Sequence, residues 1–172
     1  MTGTKEFTNE RLELEETLVR QFRALQDLIA LTKKERTYLM DDTDGVLRTV
    51  EDKEVLLDSM NVMDENCRNA IKHLSDVVSP QVELKTIKEL LPFFKQEDAR
   101  RLKNLTEGIN SLARQAQDLN RANQALAYTK LDWLKATQEF LISVFQPDTG
   151  YRPPKGAAFN REATGLGVEI RV

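Results

Sequence analysis

The chain has little from which a catalytic centre or a sheet is built. One cysteine, Cys67, excludes an internal disulfide framework and any multi-cysteine zinc site. One histidine, His73, excludes sites that need two or three imidazoles, and Ala70 stands where a Glu-x-x-His di-iron motif would need its glutamate. No glycine-rich phosphate-cradling loop occurs. Glycine and proline number only 7 and 5 in 172 residues, and between Thr4 and Thr149 they reduce to Gly45, Gly108, Pro80, Pro92 and Pro147. So little turn chemistry argues against a β-rich fold. No window approaches the ~18 uninterrupted apolar residues of a membrane span, so membrane insertion is not expected. The opening MTGTKEFTNERLE turns polar and acidic within a few residues, unlike a signal peptide. Twenty-five basic against 28 acidic residues give a net charge of −3 with no basic block, which disfavours nucleic acid as a partner. The expectation is a soluble, intracellular, non-enzymatic protein with no cofactor and no metal.

What is present is helical periodicity. A first helix is predicted from Thr8 or Asn9, either able to cap, with Glu10 and Glu13 suiting the positive end of its dipole. Leu14, Leu18, Phe22, Leu25 and Ile29 follow at steps of three and four, and the series resumes at Leu39. The cluster Asp41-Asp42-Thr43-Asp44-Gly45 ends that helix and supplies caps for the next. The second helix reads Val46, Val50, Lys53, Leu57, Met60, Asp64, Cys67, Ile71, Leu74 and Val78, with Lys53 and Asp64 as polar interruptions of the seam. Such interruptions cost stability and can fix register, although the Lys53 stem could also lie over apolar surface with its ammonium in water. Cys67 on this seam reads as packed core, and His73 as a solvated surface residue. Pro80 closes the helix.

A short amphipathic piece, Leu84, Ile87, Leu90 and Leu91, leads to Pro92. The last helix starts near Gln96 and carries the seam Leu102, Leu105, Ile109, Leu112, Ala116, Leu119, Asn123, Leu126, Lys130, Trp133, Thr137, Phe140 and Val144, ending before Pro147. At ~1.5 Å per residue it would be ~75 Å long against ~50 Å for each of the other two. Asparagine is a weak helix former, so the Asn120 and Asn123 pair stands out; it reads as a register-setting contact or as a partner-facing one. These patterns predict an all-α, antiparallel, up-down-up bundle of long helices with a short connecting helix over residues 1–146. The four glycines and three prolines of residues 147–172 predict an irregular, flexible tail.

In that topology the last helix passes the turn between the first two near Leu126 to Lys130. Beyond it a second apolar stripe appears, Leu131, Leu134, Leu141 and Phe145, roughly 100° around the helix from Trp133, Phe140 and Val144. Two stripes exceed what one pair of neighbouring helices covers. Three readings are open: a partner's amphipathic helix docks there, the chain pairs with its own copy as a coiled-coil homodimer, or the stripe is covered within the chain, by the first and third long helices sliding or by segment 84–91 folding back. The partner reading takes Leu126, Leu131, Trp133, Leu134, Phe140, Leu141 and Phe145 as the docking residues.

At LNRANQAL the sequence resembles the FlgN family of flagellar export chaperones. The likeness lies in a long final helix with an Asn-x-x-Asn step followed by a leucine (Asn120, Asn123, Leu126). It continues in a tail with a glycine-flanked tyrosine (PDTGYRPPKG, Tyr151) and in a lysine before a leucine pair in EDKEVLLDSM (Lys53, Leu56, Leu57). It spans roughly residues 8–156, with Ala127 where the family commonly has a second leucine and no match for 157–172. The resemblance implies a cytoplasmic chaperone that binds the C-terminal helices of hook-associated, hook–filament junction proteins. It would prevent their premature assembly and deliver them to type III export-gate components. Tyr151 is then a candidate for docking at the gate, with folding back onto the bundle as its alternative.

Overall fold

The computed structural model describes residues 2–41 and 44–145, with side chains from Phe7 onward. Tyr151 and the expected tail over 147–172 lie outside the described residues, as do Asp42 and Thr43 of the acidic turn. The described chain is all helix and turn: α1 (Thr2–Asp41), α2 (Asp44–Val78), α3 (Ile87–Leu90) with a 3₁₀ turn over Leu91–Phe93, and α4 (Gln96–Phe145). No strand occurs among the described residues.

Helix ends follow local chemistry. The last turn of α2 closes when the Ser79 N–H donates to the Ser75 carbonyl (2.8 Å), and Pro80 then bars continuation. The one-turn helix α3 is set by a reciprocal capping box, in which Thr86 accepts from the Glu89 N–H and the Glu89 carboxylate accepts from the Thr86 N–H. Glu97 and Asp98 fall in the first turn of α4, against its positive end. One expected boundary is wrong: α1 begins at Thr2, not at Thr8 or Asn9. The extra turns carry Phe7 against Phe94, with ring centroids 5.4 Å apart, so tertiary contact overrides the capping signal.

Cross-helix contacts give the direction of each helix. Glu10 near the start of α1 meets His73 near the end of α2 at 3.5 Å, and Glu35 meets Lys53 at 2.9 Å, so α1 and α2 are antiparallel. Arg11 donates to Asp98, and the Lys130 ammonium donates to the Met40 carbonyl at 3.1 Å, so α4 runs back parallel to α1. This is the up-down-up order, and Lys130 reaches the end of α1 at the predicted level.

The core has two apolar clusters. One joins Leu14, Leu18, Ile71, Leu74 and Leu102 from the three long helices, with Ile87 and Leu90 of α3 inserted as a plug. The other centres on Leu25, Leu28, Ile29 and Ala116, flanked by Leu56, Met60, Leu112 and Leu119. Each fully buried leucine contributes about 1.5–3 kcal/mol relative to exposure. Gly108 lies between these clusters because a Cβ there would sit 2.8 Å from Phe22 Cε2. Gly45 likewise makes room for the Tyr38 ring beside the first turn. Two seam expectations on α2 fail: Asp64 is exposed and pairs with Arg68 on its own helix at 2.6 Å, and Leu57 remains 43% exposed. Leu57 lines an open pocket that it shares with Ala113, Ala116 and Gln117 of α4. Compactness divides the chain into two units, Met1–Asp132 and Trp133–Val172, each described by itself.

Candidate functional site

The three motif residues Lys53, Asn120 and Asn123 meet around one carboxylate that the sequence pattern did not point out, Glu35, which Lys53 and Asn123 bind directly and Asn120 reaches through Lys53. The Lys53 ammonium donates to Glu35 Oε2 (2.9 Å) and to Asn120 Oδ1 (3.0 Å). The Asn123 amide donates to the same Glu35 Oε2 (2.8 Å) and to the Thr32 carbonyl (2.7 Å). Thr32 in turn donates its hydroxyl to the Leu28 carbonyl. Every long helix contributes to this layer, which is enclosed: Glu35 is 8% exposed, Thr32 1% and Asn123 3%. Lys53 therefore turns its ammonium inward to an ion pair instead of leading it to water. Asn123 Oδ1 is buried without a hydrogen-bond partner, so the layer has one acceptor still unsatisfied, at a cost of about 1–3 kcal/mol. A polar layer of this kind gains specificity more than stability, because another register would strand its charges.

The signal for Glu35 is present in the sequence. Leu28, Thr32, Glu35 and Leu39 continue the steps of four and three, and all four are buried. The gap in the apolar series of α1 is thus a polar stretch of the same face.

The second feature is the end of α4. Leu126 and Lys130 are half-buried, and from Leu131 to Phe145 every residue except Thr137 is exposed. Trp133 is 66% exposed, Phe140 65% and Phe145 78%; Leu131, Leu134 and Leu141 are each about half exposed (51%, 54% and 47%). Ile142 (48%) and Val144 (58%) join them, as does Tyr128 at 70%; Ile142 and Tyr128 fall outside the stripes read from the sequence. At about 100° per residue the apolar side chains of 131–145 occupy an arc of roughly 200°, and Asp132, Lys135, Glu139 and Ser143 fill the remainder. The reading in which segment 84–91 covers the second stripe is overturned. Ile87 and Leu90 are inside the first core cluster with Leu14 and Leu74, and the stripe residues are exposed.

Other reactive side chains have ordinary settings. The buried Cys67 thiol is pushed up from 9.0 to about 11, by burial first and by the Asp64 carboxylate second, with Arg68 opposing. It is a poor nucleophile there. His73 is a surface residue beside Glu10. No group of three or more His, Cys, Asp or Glu side chains suited to a metal occurs among the described residues, and none of their helices is long and apolar enough to cross a membrane. The arrangement is suited to docking an apolar helix face.

A protein-family comparison matches residues 11–158 to the family described as FlgN protein. No curated protein and no solved structure matches the chain.

Proposed function

Because the chain belongs to the FlgN family, a family of flagellar export chaperones, we propose that it binds the helical C-terminal segment of a hook-associated, hook–filament junction protein. The docking surface is the apolar arc of α4, with Leu126, Leu131, Trp133, Leu134, Phe140, Leu141 and Phe145 as its contacts. Masking that segment in the cytoplasm keeps it from assembling before export, and release hands it to the secretion apparatus. No bond is made or broken, in keeping with a chaperone family rather than an enzyme family.

The observation that carries this reading is the exposure of eight large apolar side chains within the fifteen residues 131–145. Water-exposed apolar surface of this density on one helix is unfavourable unless something covers it for part of its working life. A partner's amphipathic helix supplies the matching shape, with anchors at steps of three and four.

The test is calorimetric titration of the chain with the C-terminal segment of a hook-associated protein. Leu134→Asp with Leu141→Asp should remove about 3 kcal/mol or more of binding free energy, a hundredfold or more in Kd. Helicity and melting should hold, since both side chains are about half exposed already. A collapse of folding stability would place these leucines in the core and overturn the proposal. So would sedimentation showing a tight dimer that takes up no cargo segment, which is the outcome expected of a self-associating coiled coil. Tyr151 belongs to the proposal as the contact to the export gate: Tyr151→Ala should leave cargo affinity unchanged and lower secretion.

A further inference from the structure

A second surface lies on the opposite stretch of α4 and involves none of the residues assigned to cargo. Between α3 and the first half of α4 runs an open groove of about 570 Å³, within the size range of functional pockets (about 300–1,000 Å³). Its floor is apolar, formed by Ile87 and Leu91, and Thr106 and Asn110 of α4 form the far wall. Lys88 and Lys103 stand on its two rims. Spacing extends the cationic rim along the same face of α4, where Arg100, Lys103, Glu107, Asn110 and Arg114 recur at steps of three and four.

The charges of this face are mostly unspent. Lys103 pairs with Glu107 at 3.9 Å, a long and exposed contact worth little. Lys88, Arg100 and Arg114 are exposed and make no ion pair among the described residues. Two lysines and one carboxylate therefore line the groove, and Arg100 and Arg114 continue the cationic face of α4 beyond its two ends. The small surplus of positive charge beside the apolar floor complements an acidic partner.

We infer that this groove is a docking site for an acidic amphipathic segment of a protein partner, whose apolar side chains fill the floor over Ile87 and Leu91 while its carboxylates meet Lys88, Arg100, Lys103 and Arg114. The apolar floor and the Glu107 carboxylate favour a peptide over a phosphate polymer, which would bring only negative charge to both. Because cargo is assigned to different residues, this site is available to a chaperone that is already loaded.

The probe is a fluorescein-labelled, 14-residue helical peptide with leucines at steps of three and four and glutamates beside them, titrated into the full chain. Binding should be saturable, weaken with added salt, and shift the backbone amide resonances of Ile87, Leu91, Thr106 and Asn110. Lys88→Glu with Lys103→Glu should weaken it about tenfold or more, from two attractions turned into repulsions. Asn110→Trp should weaken it by filling the groove with its charges intact. Both variants change exposed residues, and L134D/L141D should leave probe binding unchanged. The inference is overturned if the probe fails to bind, if its shifts fall elsewhere, or if neither groove variant alters its affinity. It is equally overturned if an RNA oligonucleotide of the same charge binds more tightly and loses affinity in the same variants.

Discussion

Removing the ammonium of Lys53 should unfold the chain more readily than its place on a half-covered helix suggests. The side chains of Lys53 and Glu35 are only 11% and 10% exposed and lie 2.9 Å apart. In Lys53→Met the Glu35 carboxylate retains only the Asn123 amide as donor, and Asn120 Oδ1 loses its partner. Stranding one member of an enclosed pair costs about 3–5 kcal/mol. Glu35→Gln is milder, about 1–3 kcal/mol, because the new amide keeps an acceptor for Lys53 and offers an N–H to the buried, unpartnered Asn123 Oδ1. With both changes made, no charge is left in the layer, and the loss should fall well below the sum of the two, giving a coupling of about 2 kcal/mol or more. Urea unfolding followed by far-ultraviolet circular dichroism measures each corner of the cycle. With m of ~2 kcal/mol/M, the K53M midpoint should drop by roughly 1.5–2.5 M. Single losses below about 0.5 kcal/mol that add in the double variant would show a solvated surface pair and refute the reasoning.

Two further changes probe the core. Gly108→Ala gains about 1 kcal/mol of helix propensity but sets a methyl 2.8 Å from Phe22 Cε2, so a net loss is expected. Combining it with Phe22→Leu should recover part of that loss, and a G108A chain more stable than its parent in urea would refute the contact. Cys67 should make the fold sensitive to alkali. Its thiol is pushed up to about 11 in the folded chain against 9.0 unfolded, so the folded state binds the proton more tightly. Stability present below pH 9 is then lost between about pH 9 and 11, by roughly 2–3 kcal/mol at the upper end. The urea midpoint of C67A should fall less over that window, and parallel profiles would refute the assignment.

The periodic residues made much of this molecule legible. The seam of α4 from Leu102 to Lys130 is half-buried or buried throughout, because a 3.6-residue period and an apolar face leave few alternatives for fifty residues with one internal glycine. Lys53 and Asn123 were visible as misfits in apolar rows, and Asn120 as a weak helix former beside the second of them. Their shared anchor was harder to see. Glu35 is one of several charged residues in KKER, and its burial depends on the register between α1 and α4. The same holds for the start of α1: Thr8 and Asn9 are good capping residues, and the contact of Phe7 with the distant Phe94 favours the longer helix. Ile142 escaped the stripes because they were drawn as two narrow lines, whereas the exposed surface is one broad arc. Asp64 was misplaced for the converse reason, since period alone does not say which seam positions a neighbouring helix covers.

The layer around Glu35 also acts as a position stop for the longest helix. Leucine rows by themselves tolerate a shift of one helical turn, because each side chain finds an equivalent hollow about 5.4 Å further along. Asn123 has no such second berth: moved by a turn, it leaves both the Thr32 carbonyl and the Glu35 carboxylate, and Asn120 leaves Lys53. The stretch of α4 that shares its length with α1 is therefore locked at one setting, gauged by a single glutamate.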